Sequence, residues 1–594
     1  MTTSGLNVLG ISAFFHDSAC CLLRDGEVVA AAEEERFSRR KHDPGLPWRA
    51  FRFCLESAGM ALSDLDAVAY YEDPVKKLGR QLWMALHPSL PETRRRSLLG
   101  RLEVGDVERQ LRSDLGWEGP IDRFDHHQSH AASAYYFSGF DDAAILTVDG
   151  VGEWATTTFG RGAGADLELL EEVHFPDSVG MLYSTITAYL GFKVNSGEFK
   201  VMGLAPYGRP RYVRQMQRLI DPGSRGQFRL ALEYFDFIGA ERMYSDRLVE
   251  LFGQPPLRPE SEMDQFHKDV ARSLQVLLEE LLLRKVRYLH ERVPSANLCM
   301  AGGVALNCVA NGRLLREGPF DRLFVQPAAS DSGGSLGAAM LSHVQRSGQL
   351  PRRRERMAHV YLGPRYGPSE VSELLAASDV EALDFRGDED ALLEAVAERL
   401  AAGKVIGWFH GRMEFGPRAL GSRSILADPR GPEMRDRINA LVKKREAFRP
   451  FAPAVLLDRM GEHFELDHPS PFMLETCQVR SPLHLPAITH VDGSARVQTV
   501  EARHSPRFAA LIERFAQRTG CPILLNTSFN LRGEPIVCTP VDALKTFIRS
   551  RIDTLVLEDF VLDRETMPPL WEPFLELEDA PTESAITHEV YTLF

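Results

Sequence analysis

Apolar positions near the N-terminus fall in two short runs, residues 8–15 and 19–23, parted by the polar His16-Asp17-Ser18 and closed by Asp25-Gly26. Asp-Gly between strand-like runs favours a tight hairpin, because glycine accepts a positive φ at little cost. The pattern predicts strand, loop, strand, turn, strand. The same order returns as a strand at 143–148, a loop at Asp149-Gly150-Val151-Gly152, and strands at 154–159 and 167–173. A doubled β-loop-β unit is expected.

Between the copies, residues 75–117 carry amphipathic helical spacing with Arg94-Arg95-Arg96 outermost, and read as an insertion over the first half. Phe266, Val270, Leu274, Leu277, Leu281 and Val286 recur at helical spacing, which predicts one long helix over 263–290. Two strand-turn-helix repeats follow. One runs through 297–300, Ala301-Gly302-Gly303 and a helix at 305–315; the other through 324–327, a loop holding Asp331 and Gly333-Gly334, and a helix at 335–344. The paired β-loop-β units resemble the actin-like ATPase and sugar-kinase superfold, in which each half gives one loop to a nucleotide cleft. Pro, Gly and Arg crowd residues 347–368, where no apolar period survives, so the expected domains are 1–350 and 351–594. Helix and strand patterns alternate again beyond that point, at 388–402, 405–408, 541–549 and 554–557, predicting a separate α/β unit.

Composition narrows the function. With 594 residues, 44% hydrophobic and 26% charged, the chain is typical of globular proteins and long enough for several structural units. Its 69 Lys+Arg against 83 Asp+Glu leave a net charge of -14, which counts against nucleic acid as the main partner. The first residues lack a basic segment leading into an apolar core, and no apolar run reaches about 18 residues, so neither a secretory signal nor a membrane partner is expected and the location reads as cytoplasmic. Eight cysteines without a CxxC pair read as reduced, buried thiols.

Several constellations carry chemistry. In Asp125-His126-His127-Gln128-Ser129-His130, His126 and His130 stand at i and i+4 and share a helical face, which suits two imidazoles on one metal. At this histidine content chance alone supplies roughly half an HxxxH per chain, so surface or capping histidines are the competing reading. Asp149 and Asp331, at strand ends in the two halves, supply two carboxylates, and a two-His, two-Asp set suits Fe(II), Mn(II) or Zn(II). Turn capping is their other role. Glu198 and Lys200 lie in a Gly-bounded stretch, 194–208, that also reads as a salt-bridged surface loop. Arg412, Arg418, Arg423, Lys443, Lys444, Arg445 and Arg449, set among Gly-Pro turns, look like an anion pocket. The run 524–530, Leu-Leu-Asn-Thr-Ser-Phe-Asn, is a buried strand ending in polar side chains, a usual place for ligand contacts.

The segments GISAFFHDSACCLL, AAEEERFSRRKH, DHHQSHAASAYY, LTVDGVGEW, GEFKVMGLAPYG, AGGVALNCVANGRL, ASDSGGSLGAA, GRMEFGPRALGSRSIL, FRPFAP, DGSARVQTV and LLNTSFNLRGEPIV together resemble the O-carbamoyltransferases of antibiotic and nodulation-factor biosynthesis, in order from about residue 7 to 560. The resemblance implies an actin-like N-terminal domain, akin to the tRNA threonylcarbamoyl transferase subunit, joined to a YrdC-like α/β C-terminal domain. It implies that carbamoyl phosphate and MgATP give carbamoyl-AMP in the second, and that the carbamoyl group passes to a small-molecule hydroxyl in the first. By motif, His126, His130, Asp149 and Asp331 would hold the metal, usually iron; His16 would be the general base and Lys41 a phosphate neutraliser. Gly150, Gly152, Gly302, Gly303, Asn307 and Gly333, with Glu198 and Lys200, would wrap the nucleotide. Arg418, Lys443 (or the adjacent Lys444), Arg449, Arg496, Asn526 and Ser528 would grip carbamoyl phosphate and the ATP phosphates.

Three rivals share parts of this pattern: a tRNA threonylcarbamoylation enzyme, against which the net charge counts; an actin-fold small-molecule kinase; and a nucleotide-gated binding protein. A monomer or homodimer is expected. The acceptor is not legible, because such pockets are built from variable loops such as 75–117.

Overall fold

Asp25 and Gly26 adopt φ values of 51° and 80°, the two-residue primed turn whose twist matches its flanking strands. The turn joins β2 (Ala19–Arg24) to β3 (Glu27–Glu33), and β1 (Asn7–Ser12) pairs antiparallel with β2. Two further strands, β4 (Ala67–Tyr70) and β5 (Ile121–Arg123), add in parallel on the free side of β1, giving the order β3-β2-β1-β4-β5. The structure is a computed structural model and describes residues 5–88, 90, 92–99, 106–238, 242–259, 261–350, 355–378, 380–443 and 448–569.

The second sheet repeats the first. Its meander is β6 (Asp142–Val148), β7 (Ala155–Ala163) and β8 (Asp166–His174). After a separate ribbon of β9 (Ile220–Pro222) and β10 (Phe228–Leu230), strands β11 (Asn297–Ala301) and β12 (Arg322–Val325) extend the meander in parallel, giving β12-β11-β6-β7-β8. Two sheets of one topology are the duplicated actin-like α/β arrangement that the repeated loops predict. The long helix forms as Gln265–Arg292, and the insertion supplies helices Pro74–Ala85, Glu92–Leu99 and Asp106–Leu115. The side chain of Arg94 and residues 100–105 lie outside the described residues.

Small residues decide how closely these elements approach. A Cβ on Gly10 of β1 would lie 1.9 Å from the Ser335 carbonyl oxygen, and one on Gly337 would lie 1.8 Å from that of Ser129. The backbone of helix Asp331–Ser347 is thereby seated directly on β1 and on helix His126–Tyr135. Two local expectations change. Asp331, read as a loop residue ahead of a helix from 335, is the first residue of that helix; Gly333 and Gly334 stay helical because their missing side chains make room for Ala328 and Tyr71. The stretch 194–208 is not a loop, since Glu198–Leu204 is helical with Val201, Met202 and Leu204 buried.

A second compact unit is made of Glu35–Lys41 and the described residues from Ala358 on. Its strands are β13 (Leu383–Asp384), β14 (Ile406–Phe409), β15 (Arg423–Ala427), β16 (Ala452–Leu456), β17 (Cys477–Gln478), β18 (Ser494–Ala495), β19 (Gln498–Val500), β20 (Ile523–Ser528), β21 (Thr554–Leu557) and β22 (Phe560–Asp563). Eight of them form one mixed sheet, β13-β22-β21-β14-β15-β20-β16-β19, cored by Trp408, Phe409, Ile425, Leu426, Leu524 and Val556. Glu35–Lys41 is anchored inside this unit: Arg36 Nη2 donates to the Gly416 carbonyl at 2.8 Å, and Arg39 donates to the carbonyls of Ile536 at 2.6 Å and Pro535 at 2.8 Å. All eight cysteines are free and buried, as their spacing suggests.

Gly337→Ala forces the two helices apart and is expected to destabilise the protein by about 1–3 kcal/mol in urea denaturation. The exposed Gln345→Ala on the same helix should stay within about 0.5 kcal/mol of the parent.

Candidate metal centre and the second-unit site

One helical turn separates His126 from His130, Asp149 follows the last residue of β6, and Asp331 opens its helix, so three elements of the first unit bring four donors together. All four are buried. His126 Nε2 lies 3.0 Å from His130 Nε2 and 3.1 Å from Asp149 Oδ2; His130 Nε2 lies 3.3 Å from Asp149 Oδ2; and both imidazoles stand 3.7 Å from Asp331 Oδ1. A tetrahedron whose centre is about 2.05 Å from each corner has an edge of about 3.3 Å, in the middle of these separations. Asp331 Oδ1 is buried and has no hydrogen-bond partner among the described residues. The set therefore fits a divalent cation, and two imidazoles with two carboxylates and no thiolate suit a borderline ion such as Fe(II), Mn(II) or Zn(II).

The electrostatics agree. Burial pushes the His130 imidazole down, but the neighbouring carboxylates of Asp149 and Asp331 override it and raise its pKa to about 9. Burial would raise Asp149, yet His126 and His130 hold it well below the usual carboxylate range. A cation entering here displaces the proton that the carboxylates otherwise keep on the His130 imidazole.

Glycines expected beside a nucleotide have a nearer reason to be small. A Cβ on Gly152 would come within 2.9 Å of His126 Cβ, and one on Gly302, whose φ is 93°, within 2.3 Å of the Val148 carbonyl oxygen. The Gly303 N–H donates to Asp149 Oδ1 at 3.0 Å, and Gly333 passes close to the Ala328 carbonyl. Ser178 Oγ donates to the Gly150 carbonyl at 2.6 Å, which pins the loop from below. Sequence reasoning missed Glu153, whose Oε1 accepts the N–H of His126 at 2.9 Å and that of Asp73 at 2.7 Å while the buried Arg80 donates to its carbonyl at 2.7 Å. Its only signal was an acidic residue immediately after the glycine loop.

His16 approaches the same centre, with Nδ1 3.3 Å from Asp17 Oδ2 and 3.9 Å from Asp331 Oδ2. Burial alone would lower its pKa; Asp331 first, then Asp17, raise it to about 10. Tyr71 donates its hydroxyl to Asp331 Oδ2 at 3.3 Å. Other candidates of this unit sit in local networks. Asn307 caps helix Cys308–Glu317 and exchanges hydrogen bonds of 3.0 and 3.1 Å with Gln275. Glu198 accepts from Ser184 Oγ at 2.7 Å and the Asn195 N–H at 3.1 Å, and the Lys200 ammonium stands 5.4 Å from the Phe192 ring. Lys41 falls in the segment that belongs to the second unit.

In that unit β20 runs antiparallel to β15 and β16, and β19 parallel to β16, so the end of β20 and the starts of the other three share one end of the sheet. Ser528 ends β20, while Arg418, Arg449 and Arg496 lie just ahead of β15, β16 and β19. The Arg496 Nε is buried without a partner among the described residues. Asn526 donates to Gln498 Oε1 at 2.8 Å and to the Ala419 carbonyl at 3.2 Å, which ties the Arg418 loop to the sheet. Two expected anion-pocket arginines are spent internally. Arg423, fully buried, stacks on Phe409 at 3.6 Å and donates to the carbonyls of His410, Gly411, Ser422 and Pro364, and Arg412 donates to those of Leu362 and Gly363. Burial lowers the Arg423 pKa from its ordinary value, and carbonyl dipoles take the place of an anion. The Lys443 side chain, Lys444 and Arg445 lie outside the described residues.

The first unit thus carries four buried candidate metal donors on a doubled actin-like fold, and the second is a mixed α/β unit with arginines just ahead of three strands. Residues 7–87 and 102–340 match the carbamoyltransferase N-terminus and residues 397–564 the carbamoyltransferase C-terminus. The chain belongs to the carbamoyltransferase family. It is 46% identical to an uncharacterized Synechocystis protein, sll1178, over 95% of this chain and 97% of that one. It is 42% identical to the nodulation protein NolNO of Sinorhizobium fredii over 94% of this chain and 80% of that one. With the nodulation protein NolO of Bradyrhizobium diazoefficiens it shares 42% over 74% and 78%. Among the described residues no helix is long and apolar enough to cross a membrane.

Glu153→Ala keeps all four donors but frees the His126 N–H, and is expected to weaken metal binding by about 10–100-fold in competition with a chromophoric chelator. Asp331→Ala should abolish stoichiometric binding. Affinity in the parent should rise with pH until His130 loses its proton near 9.

Proposed function

We propose that the second unit makes carbamoyl-AMP from carbamoyl phosphate and MgATP, and that the first unit passes the carbamoyl group to a hydroxyl of a small molecule and releases AMP. The observation that carries this reading is the buried His126, His130, Asp149 and Asp331 set, in a chain that matches both halves of the carbamoyltransferase family. Carbamoyl phosphate and one water give carbamate and phosphate; carbamate then attacks the ATP α-phosphorus and expels pyrophosphate. Arg418, Arg449 and Arg496, with Lys443 or Lys444, would hold the two polyanions together against their repulsion, and Asn526 and Ser528 would fix their orientation. This is the work of a YrdC-like domain.

A cation held by the four donors would supply Lewis-acid polarisation of the adenylate carbonyl. Gly150, Gly152, Gly302, Gly303, Asn307 and Gly333, with Glu198 and Lys200, would wrap the AMP moiety. His16 would take the acceptor's hydroxyl proton. That role needs a neutral imidazole, and the group that chiefly holds its proton on is Asp331, one of the four donors.

The test is incubation of the full chain with carbamoyl phosphate, ATP, Mg²⁺ and a panel of hydroxylated natural products. AMP, pyrophosphate and an acceptor heavier by one carbamoyl group support the reading; ADP points to a kinase, and modified tRNA to threonylcarbamoylation. Arg496→Ala should lose pyrophosphate formation and keep its metal. His16→Ala should keep pyrophosphate formation and lose about 10²–10⁴-fold in transfer.

A further inference from the structure

We infer that Asp17 is a positioning residue for His16, and that His42 anchors Asp17 in that role; the inference rests on the carbamoyl-transfer reading of His16. Each oxygen of the Asp17 carboxylate takes one imidazole. His42 Nδ1 lies 2.7 Å from Oδ1, and His16 Nδ1 lies 3.3 Å from Oδ2. An ionised carboxylate only accepts, so the bonded His42 Nδ1 carries hydrogen, and the His16 Nδ1, buried without a hydrogen-bond partner among the described residues, has the Asp17 carboxylate as the acceptor within reach. The other acid near His16 Nδ1 is Asp331, at 3.9 Å. With carboxylates on both sides of Nδ1, the neutral ring keeps its lone pair on Nε2. That is the atom a general base needs, and an acid behind the ring is how a reactive imidazole is held in one tautomer. The 3.3 Å approach is not yet an aligned hydrogen bond, and catalytic contacts of this kind tighten when substrate is bound.

The backbone supplies an independent observation. Phe14, Asp17 and His42 have φ values of 70°, 53° and 56°, so three of the nine non-glycine residues with positive φ among the described residues meet at this one loop pair. None is glycine, which would adopt that conformation freely. Side chains are retained at a conformational cost, and such strain gathers where geometry serves function. The loop is stitched to its neighbour by Phe14 N–H to the Pro44 carbonyl at 2.8 Å and Ser18 N–H to the Asp43 carbonyl at 3.1 Å, with Asp43 buried and accepting from Gly45 at 3.0 Å. Phe15 packs its ring 4.5 Å from that of His16. The imidazole is thus fixed by an acid at Nδ1 and a phenyl ring at its side.

In the transfer step the acceptor hydroxyl gives its proton to His16 Nε2, its oxygen bonds to the carbamoyl carbon, and the bond from that carbon to the phosphate oxygen breaks as AMP leaves. Hydroxylamine attacks as the free amine and needs no proton removed first, giving hydroxyurea, AMP and a proton. With full-length protein, Asp17→Ala is expected to cut AMP release with glycerol by about 100–1000-fold at unchanged KM, and to leave release with hydroxylamine within a few-fold of the parent. His42→Ala should fall between. Equal losses with both nucleophiles, or glycerol transfer that survives Asp17→Ala, would overturn the inference. Pyrophosphate formation and metal content report that each variant is folded. Histidine ¹⁵N NMR, recorded at a pH above the titration of the ring and assigned with His16→Gln, reads the tautomer directly. Nδ1–H in the parent, changed in Asp17→Ala, supports the inference; Nε2–H in the parent, or no change, refutes it. Should the parent release no AMP with either nucleophile, the carbamoyl-transfer reading falls, while the NMR result still decides the role of Asp17.

Discussion

Two imidazoles and two carboxylates buried together organise the first unit. Neither imidazole–carboxylate pair could remain buried alone without a large desolvation cost, and together they offset it by mutual attraction, through a proton or through a shared cation. The arrangement requires the end of β6 and the first turns of two helices to meet within a few ångströms. Helix Asp331–Ser347 can reach helix His126–Tyr135 only because Gly337 leaves the Ser129 carbonyl room, and it can lie on β1 only because Gly10 does the same. Close packing and site geometry are one constraint here.

The same economy runs through the supports. Glu153 joins the metal loop, the His126 N–H and the start of helix Pro74–Ala85 in a single carboxylate. The insertion is therefore tied to the centre at its start, by the Asp73 N–H and by the buried Arg80 side chain. In the second unit Glu414 plays a comparable part, its Oε1 accepting from the N–H groups of Leu420 and Ser422 and shaping the loop that carries Arg418.

Legibility followed physical range. The doubled β-loop-β pattern was readable because strand periodicity and the Asp-Gly turn are local, and the HxxxH pair because i and i+4 share a helical face. Asp149 and Asp331 were readable as strand-end carboxylates, although their meeting depends on tertiary packing. The helical start at Asp331 was hidden by Gly333 and Gly334, which local propensity places in a loop and close packing places in a helix. Arg412 and Arg423 misled for a related reason. Guanidinium groups satisfy backbone carbonyls as readily as anions, and only the fold says which they meet. Glu153 and His42 reach partners 27 and 25 residues away, and Asp17 faces His16 only through a turn at positive φ, so their roles left little trace in local pattern.

The short segment Glu35–Lys41 has a consequence for how such enzymes can be rearranged. It leaves the first sheet only to spend Arg36 and Arg39 on carbonyls of Gly416, Pro535 and Ile536. A gene cut near residue 357 would strip the downstream half of these two arginines, so the halves are not interchangeable cassettes. Recombination that shuffles one half between homologues must bring a matching heptapeptide from the opposite end of the reading frame.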